Sequence, residues 1–125
     1  MEERVALTEA VIGGAIEVHR EMGPGLLESV YQKCLVYELR LRGVDCISQA
    51  RLPLVYKGEI ISDDDLVMDL YFPGRLVVEL KAVEKLLPIH EAQLLTYLRL
   101  TNTHTGLLIN FNVRLLKDGL KRMVL

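Results

Sequence analysis

The stretch LVMDLYFPGRLVVELK, Leu66–Lys81, decides how this chain folds. Before Pro73 the residues alternate, with Leu66, Met68, Leu70 and Phe72 on one side of a strand running from Asp65 to Phe72, and a second alternating strand runs from Arg75 to Ala82. A period of two marks a strand with two different faces. Antiparallel partners project to the same face, so one register must bury both apolar rows together. Pairing Phe72 with Leu76, Leu70 with Val78 and Met68 with Leu80 gives a wholly apolar face. The same register sets Asp69 opposite Glu79, with Lys81 beside them and opposite Val67, whereas a shift of one residue mixes the faces. Its parity requires an odd loop centred on Gly74, or a bulge.

Two carboxylates facing each other across neighbouring strands repel unless a positive charge lies between them. Mg²⁺ suits the position, because it takes one or two carboxylates and fills its other places with water and phosphate oxygens. Lys81 shares the face of Glu79 and is placed to hold a water or to stabilise charge on phosphorus. The motif alone is weak: with 17 acidic residues and six lysines in the chain, [DE]xK arises roughly 0.8 times by chance. Solvent-facing acids and lysines on an amphipathic hairpin are also ordinary.

Outward from the hairpin, the chain is punctuated only at element ends. Val5 to Glu21 carries apolar residues at helical spacing and stops at Gly23-Pro24-Gly25. Leu26 to about Arg42 reads as a second helix, with Gly43 where a left-handed cap is wanted. Val44 to Tyr56 reads as a strand, Gly58 as a turn before Glu59 to Ile61, and Ser62-Asp63-Asp64-Asp65 as a solvated turn. Pro88 suits a first helical turn, followed by a helix over Ile89 to Leu100 and a buried strand over Gly106 to Asn110. A last short strand over Lys121 to Leu125 follows a turn at Lys117-Asp118-Gly119.

The 125 residues are expected to form one domain, residues 1–125, large enough to hold a core without disulfides or a structural metal. Cys34 and Cys46 lack CxxC spacing, and His19, His90 and His104 lack metal spacing, which excludes zinc fingers and thioredoxin-type sites. No apolar run reaches the roughly 18 residues that span a bilayer, so the expectation is a cytoplasmic protein without a membrane partner. A net charge of −2 excludes binding carried by a general basic excess and leaves only a local nucleic-acid surface, with Lys85, Arg99, Arg114, Lys117, Lys121 and Arg122 as candidates. The apolar fraction of 50% is generous for a short chain and points to a homodimer.

Two further stripes are polar. His90, Gln93 and Tyr97 share one side of the third helix opposite Leu94, Leu95 and Leu98, while Glu28 and Tyr31 form a stripe on the second helix that could reach the same cleft. Taken singly these are capping or solvated-face arrangements, and a tyrosine is more often core than catalytic.

Together the residues carry a resemblance. GLLESVY (25–31) resembles the signature of the small prokaryotic GxxExxY proteins, and VVELKAVEKLLPIHEAQLLTYLRLT (77–101) and GLLINFNVRLLKDGLKRMV (106–124) resemble the rest of that family. The family is grouped with the PD-(D/E)XK nucleases, so the resemblance implies an α/β fold of the restriction-endonuclease-like type, with an αβββαβ core and a mixed central sheet flanked by helices. It implies that Asp69 is the acid of the second motif, that Glu79-Leu80-Lys81 is the ExK motif, that Gln93 and Tyr97 are the QxxxY element of RecB-like members, and that Glu28 is the acid of the leading helix. Met68 stands where the superfamily name has Pro.

The expected activity is Mg²⁺-dependent hydrolysis of nucleic-acid phosphodiester bonds, with DNA as substrate and Mn²⁺ as a substitute ion. Asp69, Glu79 and the Leu80 carbonyl are the expected metal ligands, with Glu28 outer or third. Lys81 positions the attacking water, Gln93 holds Lys81 or a water, and Tyr97 contacts phosphate or sugar. Two rivals stay open: a catalytically silent interaction module that keeps the nuclease fold, and a subunit of a larger nucleic-acid enzyme.

Overall fold

A computed structural model describes residues 2–125, with side chains from Val5 onward. The elements run α1 (Glu2–Met22), α2 (Glu28–Leu41), β1 (Ile47–Tyr56), β2 (Glu59–Phe72), β3 (Leu76–Lys81), α3 (Pro88–Thr101), β4 (Thr105–Asn110), a 3₁₀ turn (Leu116–Gly119) and β5 (Leu120–Val124). One mixed sheet has the order β1-β2-β3-β4-β5, and β3 and β4 are its parallel pair. That pair needs a crossover, which α3 supplies. From α2 to β4 the order is the expected αβββαβ.

Helices cover both faces, so the central strands lose their alternation and read as apolar runs. Leu76, Val77, Val78 and Leu80 are fully buried in β3, as are Leu108 and Ile109 in β4. On one face, Val11, Ala15, Leu35 and Leu39 of α1 and α2 pack with Leu70, Phe72, Leu76, Val78, Leu80 and Ile109. On the other, Leu94 and Leu98 of α3 pack with Ala50, Met68, Val77 and Leu108. Burial of each large side chain contributes about 1.5–3 kcal/mol.

The hairpin forms in the expected register, with Leu70 opposite Val78 and Phe72 opposite Leu76. Its loop is the odd one that parity demands: Pro73, Gly74 and Arg75 join the strands, Gly74 takes a left-handed φ of 72°, and Arg75 N–H donates to the Phe72 carbonyl at 2.8 Å. Three expectations are corrected. Met68 does not pair with Leu80: the ladder ends at Leu70, and Met68 packs on the α3 face while Leu80 packs on the other. The cause lies in β1, where Gln49 opposite Asp69 adopts a left-handed φ of 53°, so the face changes between Ser48 and Ala50 on one strand and between Leu70 and Met68 on the other. Residues 62–65 are no turn, since β2 is continuous from Glu59 and forms a long ribbon with β1, irregular near Leu54. β1 itself starts at Ile47 rather than Val44. The stop after α2 matches expectation, with Gly43 at φ 74° and Val44 N–H bonded to the Leu39 carbonyl at 2.8 Å.

Candidate active site

The site lies where the β2–β3 ladder gives way. Beyond Leu70 and Val78 the strands exchange side-chain bonds instead of backbone bonds: Asp69 N–H donates to Glu79 Oε2 at 2.8 Å, and Leu80 N–H donates to Asp69 Oδ2 at 2.8 Å. Each carboxylate thus satisfies an amide that the diverging partner strand no longer reaches, which a buried N–H requires. The reciprocal bonds lock both carboxylates. Asp69 and Glu79 are brought together as the register predicts, by crossed bonds rather than as a ladder pair.

Glu79 is 6% exposed in the central strand. Burial, and then repulsion from Asp69, pushes its carboxyl up to about 8. Burial also raises Asp69, against the Leu80 N–H bond and the Lys81 charge. Two buried carboxyls, one of them raised further by the charge of the other, ionise together at a cost that a cation would offset. Lys81, half-buried at the end of β3, lowers both but forms no ion pair with either among the described residues. Its carbonyl accepts the Phe111 N–H at 2.9 Å.

Glu28 reaches this centre from the first turn of α2. Burial and then Asp69 raise its carboxyl, and Lys81 lowers it, so the three charges share one region. The loop before it is what the Gly-x-x-Glu-x-x-Tyr spacing builds. Gly25 takes a φ of 99°, and the fully buried Tyr31 donates to the Gly23 carbonyl at 2.5 Å, accepts the Leu26 N–H at 3.2 Å and stacks on Phe111 at 4.5 Å. Tyr31 is therefore core, the commoner place for a tyrosine, rather than part of the cleft its stripe could have reached. It fixes the entry to α2, and with it the position of Glu28.

Tyr97 is 8% exposed, and burial, then the Glu79 charge, raise its phenol against a backbone hydrogen bond at Val67. Gln93, one turn earlier, is exposed and makes no hydrogen bond among the described residues. His90 leaves the stripe: its Nδ1 accepts the Leu87 N–H at 2.9 Å and caps α3. The sequence reading missed Gln32, Ser48, Gln49 and Asn110, and only Asn110 carried a signal. Gln49 Nε2 lies 3.3 Å from Asp69 Oδ1 and 2.8 Å from Gln32 Oε1, and Gln32 Nε2 donates to Ser48 Oγ at 3.0 Å. Asn110, buried at the end of β4, bonds both Val83 N–H and the Val83 carbonyl and so fixes the segment after Lys81. A polar residue closing the apolar run GLLIN was the available hint.

The donors fit a hard divalent cation. Asp69 Oδ2 and Glu79 Oε2 are held by backbone amides, while Asp69 Oδ1 has one long bond and Glu79 Oε1 no protein donor among the described residues. No three His, Cys, Asp or Glu side chains among the described residues are grouped to hold a metal ion.

A family model described as the PD-(D/E)XK nuclease superfamily matches residues 5–123. No curated protein and no solved structure gives a significant match.

Proposed function

Because this chain belongs to the PD-(D/E)XK nuclease superfamily, we propose that it is a Mg²⁺-dependent DNA nuclease of the GxxExxY group, acting in the cytoplasm through Asp69, Glu79 and Lys81. The single observation that carries the reading is the reciprocal clamp of Asp69 and Glu79, two carboxylates held together at a cost that a cation relieves. Asp69, Glu79 and the Leu80 carbonyl would hold Mg²⁺ or Mn²⁺, with Glu28 as an outer ligand, and the ion supplies Lewis-acid stabilisation of charge on the phosphate. Lys81 orients the attacking water and stabilises the phosphorus oxygens as charge builds. Gln93 steadies Lys81 or the water, and Tyr97 contributes its hydroxyl at the edge of the phosphate or sugar. The net charge of −2 does not oppose this, because cations gather locally: Arg114 and Lys117 line one groove beside Gly23, together with Arg20, which pairs with Glu17. Calorimetric titration tests the reading. Mn²⁺ should bind the protein with measurable heat that Glu79→Gln abolishes, and a wild-type protein that binds neither Mn²⁺ nor Mg²⁺ is instead a silent module on the nuclease fold.

Self-association belongs to the same proposal. Val55, Tyr56, Ile60 and Ile61 are each more than half exposed at the end of the β1–β2 ribbon, an apolar surface of the kind that copies of a chain cover for each other. Sedimentation should find a dimer that becomes a monomer when Ile60 and Ile61 are replaced by Glu. A monomeric wild-type protein at micromolar concentration would remove the dimer and leave the nuclease proposal standing.

A further inference from the structure

The candidate centre opens onto a groove that the expected phosphate-contacting residues do not include. Between α2 and the start of β1 lies a cleft of about 570 Å³ lined by Gln32, Lys33, Tyr37, Arg40, Ser48 and Gln49. It joins the centre through Gln49, whose amide donates to both Asp69 and Gln32. Lys33 and Arg40 are seven apart and Tyr37 lies between them, so all three lie along one side of α2. From Ser29 to Arg40 the helix advances about 16 Å, enough to follow a strand past several nucleotides.

The chemistry of the lining is selective. Neither Lys33 nor Arg40 forms an ion pair with a described carboxylate, and no acidic side chain lines the cleft. Two cations without ion pairs thus flank an aromatic ring on this side of α2, while Lys33 and Tyr37 also border a second groove that carries Glu17, Glu21 and Glu38. Tyr37 is 59% exposed, with its ring presented to solvent rather than packed. Cations that track a backbone and an aromatic face on which bases stack are the two components of single-strand recognition. A duplex keeps its bases stacked on each other and has no use for the ring.

We propose that the α2–β1 groove of Lys33, Tyr37 and Arg40 binds a single-stranded nucleic acid and leads its phosphate backbone to Asp69. The proposal rests on the nuclease reading of Asp69, Glu79 and Lys81 and adds the substrate class. The network of the buried Gln32 with the exposed Ser48 and Gln49 forms the floor of the groove and ties α2 to β1 beside its left-handed kink at Gln49.

Fluorescence anisotropy of a labelled oligodeoxythymidylate, with Ca²⁺ in place of Mg²⁺, tests it without cleavage. Lys33→Ala with Arg40→Ala should weaken binding about tenfold and reduce the slope of log K against log salt by about 1.4, the loss of two single-strand phosphate contacts. Tyr37→Ala should weaken binding about tenfold with little change in slope. All three side chains are exposed, so unchanged thermal unfolding of the variants confirms that the effects are local. Wild-type binding that the substitutions leave intact overturns the groove while sparing the nuclease reading, and binding of duplex but not of single strand overturns the substrate class. A protein that cleaves DNA with Mg²⁺ while these variants keep full affinity locates the failure in the groove alone.

Discussion

Replacing Lys81 by Ala should lower Mg²⁺-dependent cleavage of DNA by about a hundredfold to a thousandfold, the usual cost of removing one group that stabilises transition-state charge, while thermal unfolding stays near wild type. Lys81 makes no ion pair among the described residues, so its ammonium contributes little to the resting fold. Asp69→Asn should cause a comparable or larger loss. The Asn oxygen can still accept the Leu80 N–H that Asp69 Oδ2 now accepts at 2.8 Å, so the hairpin keeps its clamp and loses a charge. Asp69→Ala is the less informative variant, because it also orphans that amide, at about 1–3 kcal/mol. Cleavage assays on single- and double-stranded DNA, paired with circular dichroism of each variant, separate chemistry from folding. Activity that survives in both Lys81→Ala and Asp69→Asn would trace to another site or a contaminant.

The second large effect is on stability, and its sign follows from Glu79. The unfolded carboxyl ionises near 4.5, and the folded one is pushed up to about 8, chiefly by burial and then by Asp69. Between those values the folded chain holds a proton that the unfolded chain has released. Stability is therefore full below about pH 4.5 with respect to this group and is lost as pH rises through about 8. The raised carboxyls of Asp69 and Glu28 act in the same direction. Each tenfold difference in proton affinity corresponds to roughly 1.4 kcal/mol, so the metal-free protein should lose a few kcal/mol between pH 5 and pH 9. Glu79→Gln should flatten that decline and be the more stable protein at pH 9 without metal. Added Mg²⁺ at one hundred times its dissociation constant should restore about 2.7 kcal/mol to the wild type and nothing to the variant. Thermal unfolding in chelator and in Mg²⁺, at several pH values, decides it. A metal-free melting temperature that rises from pH 5 to pH 9 would mean that the carboxylates are neither buried nor coupled as described.

Much of the architecture was legible because burial leaves a periodic trace. The hairpin register followed from two apolar rows, since only one pairing of Leu70, Phe72, Leu76 and Val78 buries both. The helices followed from helical spacing and from Gly43 and Pro88 at their ends. The candidate centre was legible as far as Asp69, Glu79 and Lys81, because parity within a strand fixes which side chains share a face. The sequence left Tyr31 open between core, the commoner place for a tyrosine, and the cleft, because a helical stripe shows only that Glu28 and Tyr31 lie on similar sides. Which side meets solvent depends on Phe111, 80 residues away, on which the ring stacks.

The chain's own pattern determined the order of elements, the pairing of the central strands and the proximity of two acids and a lysine, all properties set by neighbours in sequence or by one strand pair. Only the tertiary structure decided how the acids are held and what surrounds them. The left-handed turn at Gln49 reverses the faces of two strands, which sends Met68 to the α3 side and leaves the Asp69 and Leu80 amides to be met by carboxylates. No local period encodes that reversal, because a period of two holds side chains to fixed faces and the left-handed Gln49 interrupts it.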